Sequence, residues 1–129
     1  IKQNESKIMA AVKKDLGKSA MESFMCEVGL VLEEISFMLK HVAKYAKKQV
    51  VKTPLAQFAS KSYKNPSPRG VVLIMSPWNY PFMLTLSPLV DAIAAGNTVI
   101  VKPSAYSANT SKIIEEIFTK NFAKMKITM

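Results

Sequence analysis

Two short apolar runs, separated by a helix-like segment, most constrain the fold of this 129-residue chain. The first, VVLIM at 71–75, lacks the polar alternation of a half-exposed strand, so it predicts a strand buried on both faces. TVIVK at 98–102 predicts a second buried strand, and residues 82–95 predict a helix that ends at Gly96. Two buried strands joined by a helix predict a parallel pair with a right-handed crossover, as in a doubly wound α/β sheet.

Upstream of this unit, the apolar spacing predicts two helices. Residues of one helix face recur every four positions in the first, at Ile8, Val12 and Leu16. Gly17 is expected to end that helix. Ser19 and Glu22 then form an S-x-x-E capping box, followed by a three-four apolar rhythm that continues to Val42. The two helices packed together would form a helical hairpin.

The remaining segments connect and extend these elements. Residues 49–68 carry weak apolar signals broken by proline and small polar residues, which favours two short exposed strands or an extended arm. After the second buried strand, Ser107 is expected to cap a last helix. Two parallel strands alone leave a long apolar edge unpaired. We therefore expect this chain to be part of a larger sheet.

Composition and charge limit the class of protein. An apolar content of 49% is enough for one domain with a core, and the sequence has neither an apolar run of membrane-spanning length nor a signal peptide. The single cysteine, Cys26, offers neither a disulfide nor metal-ligand spacing, so a reducing, cytoplasmic location is expected and no metal site is predicted.

The net charge of +9 is unevenly distributed. No acidic residue lies between Glu34 and Asp91, while seven lysines and Arg69 lie there. Such a basic patch can bind the phosphates of a nucleic acid, but a solvated face, or a face that meets an acidic part of a larger protein, is the favoured interpretation. Because the sequence has no nucleic-acid-binding motif, a nucleic acid is not an expected partner.

Polar residues follow both buried strands. Asn79 lies between Pro77 and Pro81 just beyond the first strand, and Lys102 ends the second. Ligands of open α/β sheets bind at the carboxyl ends of the strands, so the two side chains are expected to share one cleft. A rigidly held Asn amide can donate to a developing oxyanion, and a Lys can donate to sugar hydroxyls or phosphate. The alternative is that both are ordinary turn and strand-end residues. The turn SPWNYP is not a G-x-G-x-x-G loop.

The segment PWNYPFMLTLSPLVDAIAAGNTVIVKPSAYSANTS, at 77–111, resembles the aldehyde dehydrogenase superfamily. VGLVLEEISFMLKHV at 28–42, with KTP at 52–54, resembles its class 3 branch. The resemblance implies an incomplete aldehyde dehydrogenase fold: a helical hairpin and a short β arm, followed by the first βαβα of a Rossmann-like parallel sheet. The resemblance implies three domains: the hairpin at 1–48, an arm of the oligomerisation region at 49–69, and the start of the NAD(P)-binding α/β domain at 70–129.

The resemblance also implies a function, the NAD(P)+-dependent oxidation of an aldehyde to a carboxylic acid through a cysteine thiohemiacetal. Asn79 matches the asparagine of the oxyanion hole. The implied cofactor-binding residues are Met75, Ser76, Pro77, Trp78, Lys102 and Ser104. Lys102 would bond the adenosine ribose, with either NAD or NADP as cofactor. Ala105 stands where the family usually has a Glu that binds the ribose hydroxyls, which implies a weaker preference for NAD+ or a damaged cofactor site.

The resemblance implies that the nucleophilic cysteine and the general-base glutamate of the family have no counterpart in these 129 residues. Cys26 is not a substitute for the nucleophile, because it lacks a nearby cation to activate it, and it is interpreted as structural. His41 is expected to have a surface role. We therefore expect an N-terminal portion that is inactive alone, with an aldehyde as substrate of the longer protein and a homodimer or other self-association. The alternative is a truncated, non-catalytic remnant that acts as an oligomerising interaction module.

Overall fold

A computed structural model of the chain describes residues 1–121, so the end of the third expected domain, at 122–129, lies outside the described residues. The helices are α1 (Glu5–Leu16), α2 (Ala20–Ser23), α3 (Gly29–Tyr45), α4 (Met83–Ala94) and α5 (Ala108–Asn121). The strands are β1 (Gln49–Val51), β2 (Ser62–Lys64), β3 (Val71–Met75) and β4 (Thr98–Lys102). The predicted order of hairpin, arm and βαβα unit is confirmed.

The long second helix is confirmed, but a π turn interrupts it. Helix α2 continues through a π turn at Phe24–Val28 directly into α3. The amide of Gly29 donates to the Phe24 carbonyl five residues back, and a Cβ at position 29 would lie 2.9 Å from that oxygen. Glycine avoids this close contact. Both predicted helix signals upstream are also confirmed: Gly17 is left-handed (φ 69°) after α1, and Ser19 Oγ accepts the Glu22 amide at 3.1 Å.

The predicted parallel pair is confirmed, and the arm forms two short strands, one of its two predicted alternatives. β1 and β2 pair antiparallel, from Gln49 opposite Lys64 to Val51 opposite Ser62. β3 and β4 pair parallel in an unbroken register, and helix α4 connects them. The parallel register aligns the carboxyl ends of β3 and β4 at one edge of the sheet.

The expectation that β3 and β4 are buried on both faces is wrong for the described residues. Ile74, Val99 and Val101 lie in the core, because α4 packs against this face of the sheet. The opposite face carries apolar side chains that no described element covers: Val71, Leu73, Met75 and Ile100. A run of apolar residues shows what a strand can bury, but the surrounding elements decide what it does bury.

Helices cover the core from two sides. Helix α1 contacts the beginning of the long helix and packs along α5, while α3 packs along α4. The core contains aliphatic side chains from these helices and from the sheet, among them Ile8, Val31, Leu89, Val101 and Ile114. Within residues 1–121, no helix has both the length and the apolar character needed to cross a membrane.

The start of α5 is capped by Asp15 of α1, rather than by Ser107 as predicted. The Ser107 hydroxyl donates to the Ser104 carbonyl at 3.2 Å. Asp15 accepts from the amide and side chain of Asn109 and from the amide and hydroxyl of Thr110, at 2.7–3.1 Å. Burial alone would raise the pKa of the Asp15 carboxyl, but these four hydrogen bonds outweigh it and lower the pKa.

Replacing Asp15 by Ala should reduce the free energy of unfolding at pH 7 by about 1–2 kcal/mol, the usual size of a lost helix cap. Because the folded pKa is depressed, the carboxylate stabilises the fold above its unfolded pKa, and this contribution is lost as pH falls through the folded pKa. Urea unfolding should therefore show a difference between wild type and Asp15→Ala that shrinks as the pH is lowered below about 4.

A suitable control is Glu116→Ala, which removes an exposed carboxylate of α5 that lies 3.7 Å from Lys7. Exposed ion pairs of this kind contribute little, so this variant should unfold close to wild type. A difference for Asp15→Ala that is independent of pH would contradict the capping role of the charge.

Candidate functional site

The candidate site lies where β3 and β4 end side by side. Met75 is opposite Lys102 in the parallel register, and the Ser76 amide continues the pairing by donating to the Lys102 carbonyl at 3.2 Å. The segment SPWNYP at 76–81, called the corner below, thus begins beside the KPS segment at 102–104. The expected meeting of the two strand ends at one edge is confirmed.

A buried hydroxyl pair joins the two ends of the corner. Thr85 Oγ1 donates to the Pro81 carbonyl at 2.5 Å, and Ser76 Oγ lies 2.6 Å from the same Thr85 oxygen. Since the single Thr85 hydroxyl proton points to Pro81, Ser76 is the donor in the second bond. The first turn of α4 therefore fixes both the beginning and the end of the corner.

A buried carboxylate holds the beginning of α4. Glu27 is wholly buried, and its Oε2 accepts the amides of Phe82 and Met83 at 2.8 and 3.2 Å. The first amides of a helix have no acceptor within the helix, so this carboxylate supplies the missing one. Its other oxygen, Oε1, accepts from Lys18 Nζ at 2.7 Å.

The lysine of this pair extends to the corner itself. Lys18 Nζ donates to the Asn79 carbonyl at 2.9 Å and lies 3.8 Å from the centre of the Tyr80 ring. Only 10% of the Lys18 side chain is exposed, so the ammonium group is largely out of water. The Lys18–Glu27 pair thus connects the helical part of the molecule to residues 79–83.

Sequence reasoning missed this pair, although one signal was present. Glu27 lies four residues before the core residue Val31, so it falls on the buried stripe of the long helix. A charged residue on such a stripe requires a partner. Nothing in the sequence pattern, however, indicates that the partner is Lys18.

The predicted site residues lie at or near this edge, with different surroundings. Asn79 is exposed, and its side-chain amide makes no hydrogen bond within residues 1–121. Met75, Pro77 and Trp78 are exposed at the same end of β3, whereas the Ser76 hydroxyl is buried and bonded to Thr85.

The second strand end offers a cation. The Lys102 side chain is exposed and forms no ion pair in the described part of the chain. Ser104 is half-buried, and its hydroxyl accepts the Tyr106 amide at 3.2 Å. The adjoining Ala105 is exposed and carries no polar group. At this strand end a ligand therefore meets the donors of the Lys102 ammonium, and no carboxylate acceptor at position 105.

Other polar groups lie away from the corner. Burial and the neighbouring Asp91 carboxyl raise the pKa of Glu34, on the α3 face that contacts α4. His41 Nδ1 lies 2.7 Å from the Phe37 carbonyl one turn back, and Cys26 is half-buried. Within residues 1–121, no three His, Cys, Asp or Glu side chains converge as metal ligands.

A cavity of about 410 Å³ lies between the ends of α3 and α4, lined in part by Pro68.

Fold and site together define an α/β protein whose candidate ligand site lies at the carboxyl edge of a parallel strand pair. The chain belongs to the aldehyde dehydrogenase family, which matches residues 1–124. The resemblance to its class 3 branch is confirmed, because several similar curated proteins are family 3 members.

Two curated relatives illustrate the extent of the similarity. The 4,4'-diaponeurosporen-aldehyde dehydrogenase of Staphylococcus aureus is 43% identical over 122 residues, which are 95% of this chain and 27% of that protein. Aldehyde dehydrogenase family 3 member A2 of Rattus norvegicus is 47% identical over 117 residues, 91% of this chain and 24% of that protein. The chain thus spans about a quarter of the length of these relatives.

Solved structures show the same fold. The substrate-bound state of Staphylococcus aureus AldH superposes with a TM-score of 0.95 at 40% identity, covering 99% of this chain and 28% of that one. A succinic semialdehyde dehydrogenase of Streptococcus pyogenes, solved with NADP+, superposes with a TM-score of 0.81 at 18% identity, covering 92% and 25%. The described residues therefore have the fold of the N-terminal part of aldehyde dehydrogenases.

The hydroxyl pair at the corner should behave as a coupled unit. Thr85→Val keeps the shape but leaves the Ser76 hydroxyl and the Pro81 carbonyl buried without their partner, which should reduce the free energy of unfolding by about 1–3 kcal/mol. Adding Ser76→Ala removes one of the unpaired groups, so the double variant should lose less than the sum of the two single losses. Urea unfolding of the four proteins gives the coupling, and additive losses would contradict the bridge.

Proposed function

We propose that this chain supplies the N-terminal part of an enzyme that oxidises an aldehyde to a carboxylic acid with NAD(P)+. The observation that carries the proposal is the corner after β3, where Asn79 projects from a backbone that buried hydrogen bonds fix on both sides. A donor that needs no reorganisation stabilises a charge that develops in the transition state. The membership of the aldehyde dehydrogenase family supports the reaction class.

Asn79 is proposed as the oxyanion donor. Its side-chain amide is exposed and free of internal hydrogen bonds within residues 1–121, so it is available to a substrate oxygen. When a cysteine thiolate adds to the aldehyde carbon, the carbonyl oxygen becomes negatively charged. The amide N–H would donate to that oxygen and lower the barrier to addition.

The strand-end edge fits a dinucleotide in part. The exposed Lys102 ammonium has three donors and no ion-pair partner among the described residues, as a ribose or phosphate contact requires. Met75, Pro77 and Trp78 offer exposed apolar surface beside it, and Ser76 and Ser104 complete the proposed cofactor-binding set. A nicotinamide cofactor held by these residues would supply the hydride acceptor for the oxidation of the thiohemiacetal carbon.

The remaining chemical groups are proposed to come from outside these residues. Cys26 is held on the long helix, in the π turn, and not at the corner. We therefore propose that the nucleophilic cysteine and the general base belong to a longer polypeptide, and that the 129-residue chain alone does not turn over substrate. The share of about a quarter that the chain covers in its relatives supports this.

The proposal extends to organisation and location. We propose a helical hairpin at 1–48, an arm at 49–69 that takes part in self-association, and the start of a cofactor-binding domain from residue 70. The exposed apolar residues Leu55 and Phe58 of the arm support a role in contact between subunits. The single cysteine supports a cytoplasmic location.

A hybrid enzyme tests the proposal directly. In this hybrid, residues 1–121 replace the matching segment of the Staphylococcus aureus relative, whose structure superposes on almost the whole chain. The hybrid should oxidise aldehyde substrates of that relative with NAD(P)+, and the isolated chain should not. A hybrid that folds but has no activity would contradict the proposed function.

Within the hybrid, Asn79→Ala should lower kcat about 100- to 1,000-fold, the usual loss for one oxyanion donor. The KM for the cofactor should change little, because Asn79 is proposed to contact the substrate oxygen only. Pro77→Ala, two residues earlier in the corner, provides a comparison that keeps the amide. An Asn79→Ala hybrid with unchanged kcat would exclude the proposed role.

Position 105 should influence the choice of cofactor. A carboxylate there accepts the ribose hydroxyls and repels a 2′-phosphate, so Ala105→Glu in the hybrid should shift the ratio of kcat/KM for NAD+ over NADP+ toward NAD+. Ala105→Gln introduces a side chain of the same length as Glu but without its charge. It therefore separates repulsion of the 2′-phosphate from hydrogen bonding to the ribose hydroxyls. If the ratio is unchanged in the Glu variant, the proposed location of the adenosine ribose is wrong.

A second candidate function is a non-catalytic interaction module. The uncovered apolar face of the sheet favours it, since Val71, Leu73 and Met75 are each more than half exposed in the described chain. Sedimentation of the 129-residue chain tests this candidate, because an interaction module must form a defined oligomer, whereas the portion of a longer enzyme need not do so alone. A monomer would leave the enzyme portion as the only candidate.

A further inference from the structure

The Lys18–Glu27 pair directs all of its remaining hydrogen bonds to one short segment. Beyond the 2.7 Å bond between them, Glu27 accepts the first amides of α4, and Lys18 donates to the Asn79 carbonyl. These contacts span 55–61 residues of sequence. If the pair stabilised only the helical core, its remaining side-chain hydrogen bonds would not all go to residues 79–83.

Buried ion pairs are also poor devices for stability alone. Desolvating two charges often cancels their attraction, and apolar residues of the same shape can stabilise a fold equally well. The pair is electrically neutral overall, so it adds little net charge to a ligand at the corner. Its distinctive property is geometric, because it fixes the orientation of backbone groups.

The direction of the Asn79 side chain depends on that backbone. The side-chain amide makes no hydrogen bond within residues 1–121, so no contact of its own holds it in place. The Asn79 carbonyl accepts from Lys18 Nζ at 2.9 Å, and the same Nζ lies 3.8 Å from the centre of the ring of the next residue, Tyr80. Holding this peptide plane limits the rotation about the Asn79 Cα–C bond, and so limits the Cα–Cβ directions from which the amide projects.

The π turn places the carboxylate in this arrangement. Glu27 is a member of the turn at Phe24–Val28, and the turn is accommodated by Gly29, whose missing Cβ would lie 2.9 Å from the Phe24 carbonyl oxygen. π turns change the direction of side chains relative to a regular helix, and they occur frequently at functional sites. The three heavy atoms nearest to a Cβ at position 29 all belong to Phe24, so a substitution there perturbs the π turn and offers a separate way to displace Glu27.

We propose that Lys18 and Glu27 are positioning residues that aim the Asn79 amide at the substrate oxygen. This inference rests on the proposed function of Asn79. The pair touches neither substrate nor cofactor and acts through the backbone of the corner. Misplacement of a catalytic donor by about 1 Å is enough to reduce a rate by about two orders of magnitude.

The test uses the hybrid enzyme and the variant Lys18→Met, which keeps the length of the side chain but removes the donor. It should lower kcat by about 10- to 100-fold while the KM for the cofactor changes less than about twofold. The matched control is Ser23→Ala, a buried hydroxyl one helical turn before Glu27 that has no hydrogen-bond partner among the described residues. This control should keep the kcat of the parent hybrid.

A double variant separates positioning from a general loss of structure. On the Asn79→Ala background, Lys18→Met should have no further effect on kcat, because the donor that it positions is already absent. An equal loss on both backgrounds would overturn the proposal. If Asn79→Ala itself leaves kcat unchanged, the proposed function fails; if it lowers kcat while Lys18→Met does not, only the positioning role fails.

Two further variants keep the proposal testable if Lys18→Met does not fold. Glu27→Gln retains an acceptor for the α4 amides, and Gly29→Ala perturbs the π turn without touching either charge. Each folded variant should lower kcat on the parent background only. In the 129-residue chain, hydrogen exchange at the amides of Phe82 and Met83 should become faster in the same variants. Folded variants with parental kcat and unchanged exchange would overturn the proposal.

Discussion

The buried Lys18–Glu27 pair is the interaction on which the arrangement of this molecule depends. It joins the segment after α1 and the π turn to the corner and the first amides of α4. Because α4 packs against β3 and β4 on one side and α3 on the other, the pair also sets the sheet against the helices. Removing either partner would leave a charge buried without compensation, a situation that folded proteins rarely tolerate.

A second long-range contact, between Asp15 and the beginning of α5, adds to the one made by the Lys18–Glu27 pair. Asp15 accepts four hydrogen bonds at the beginning of α5, and Lys18, three residues later, donates to the Asn79 carbonyl of the corner. The edge where β3 and β4 end is therefore bordered by elements whose beginnings are fixed. Asn79 and Lys102, in contrast, have exposed side chains that form neither a hydrogen bond nor an ion pair within residues 1–121, as residues that meet a ligand require.

Local signals predicted most of the fold. Apolar spacing gave the helices, Gly17 and Ser19 marked a helix end and a helix start, and the parallel pairing followed from two apolar runs with a helix between them. The π turn and the pairing of Lys18 with Glu27 were not predictable, because each depends on contacts between residues that the sequence does not relate. Burial of β3 on both faces was wrong for the same reason, since exposure depends on which other elements are present.

We propose that these residues form one part of an aldehyde-oxidising enzyme whose remaining groups lie elsewhere in a longer polypeptide. The most direct test is the intact mass of the native product, captured from cells of the source organism with an antibody raised against this chain. We expect a mass several times the 14.3 kDa of the 129 residues, as a longer polypeptide requires. A native product of about 14.3 kDa would contradict it, because the corner at Asn79 would then have no nucleophile to serve.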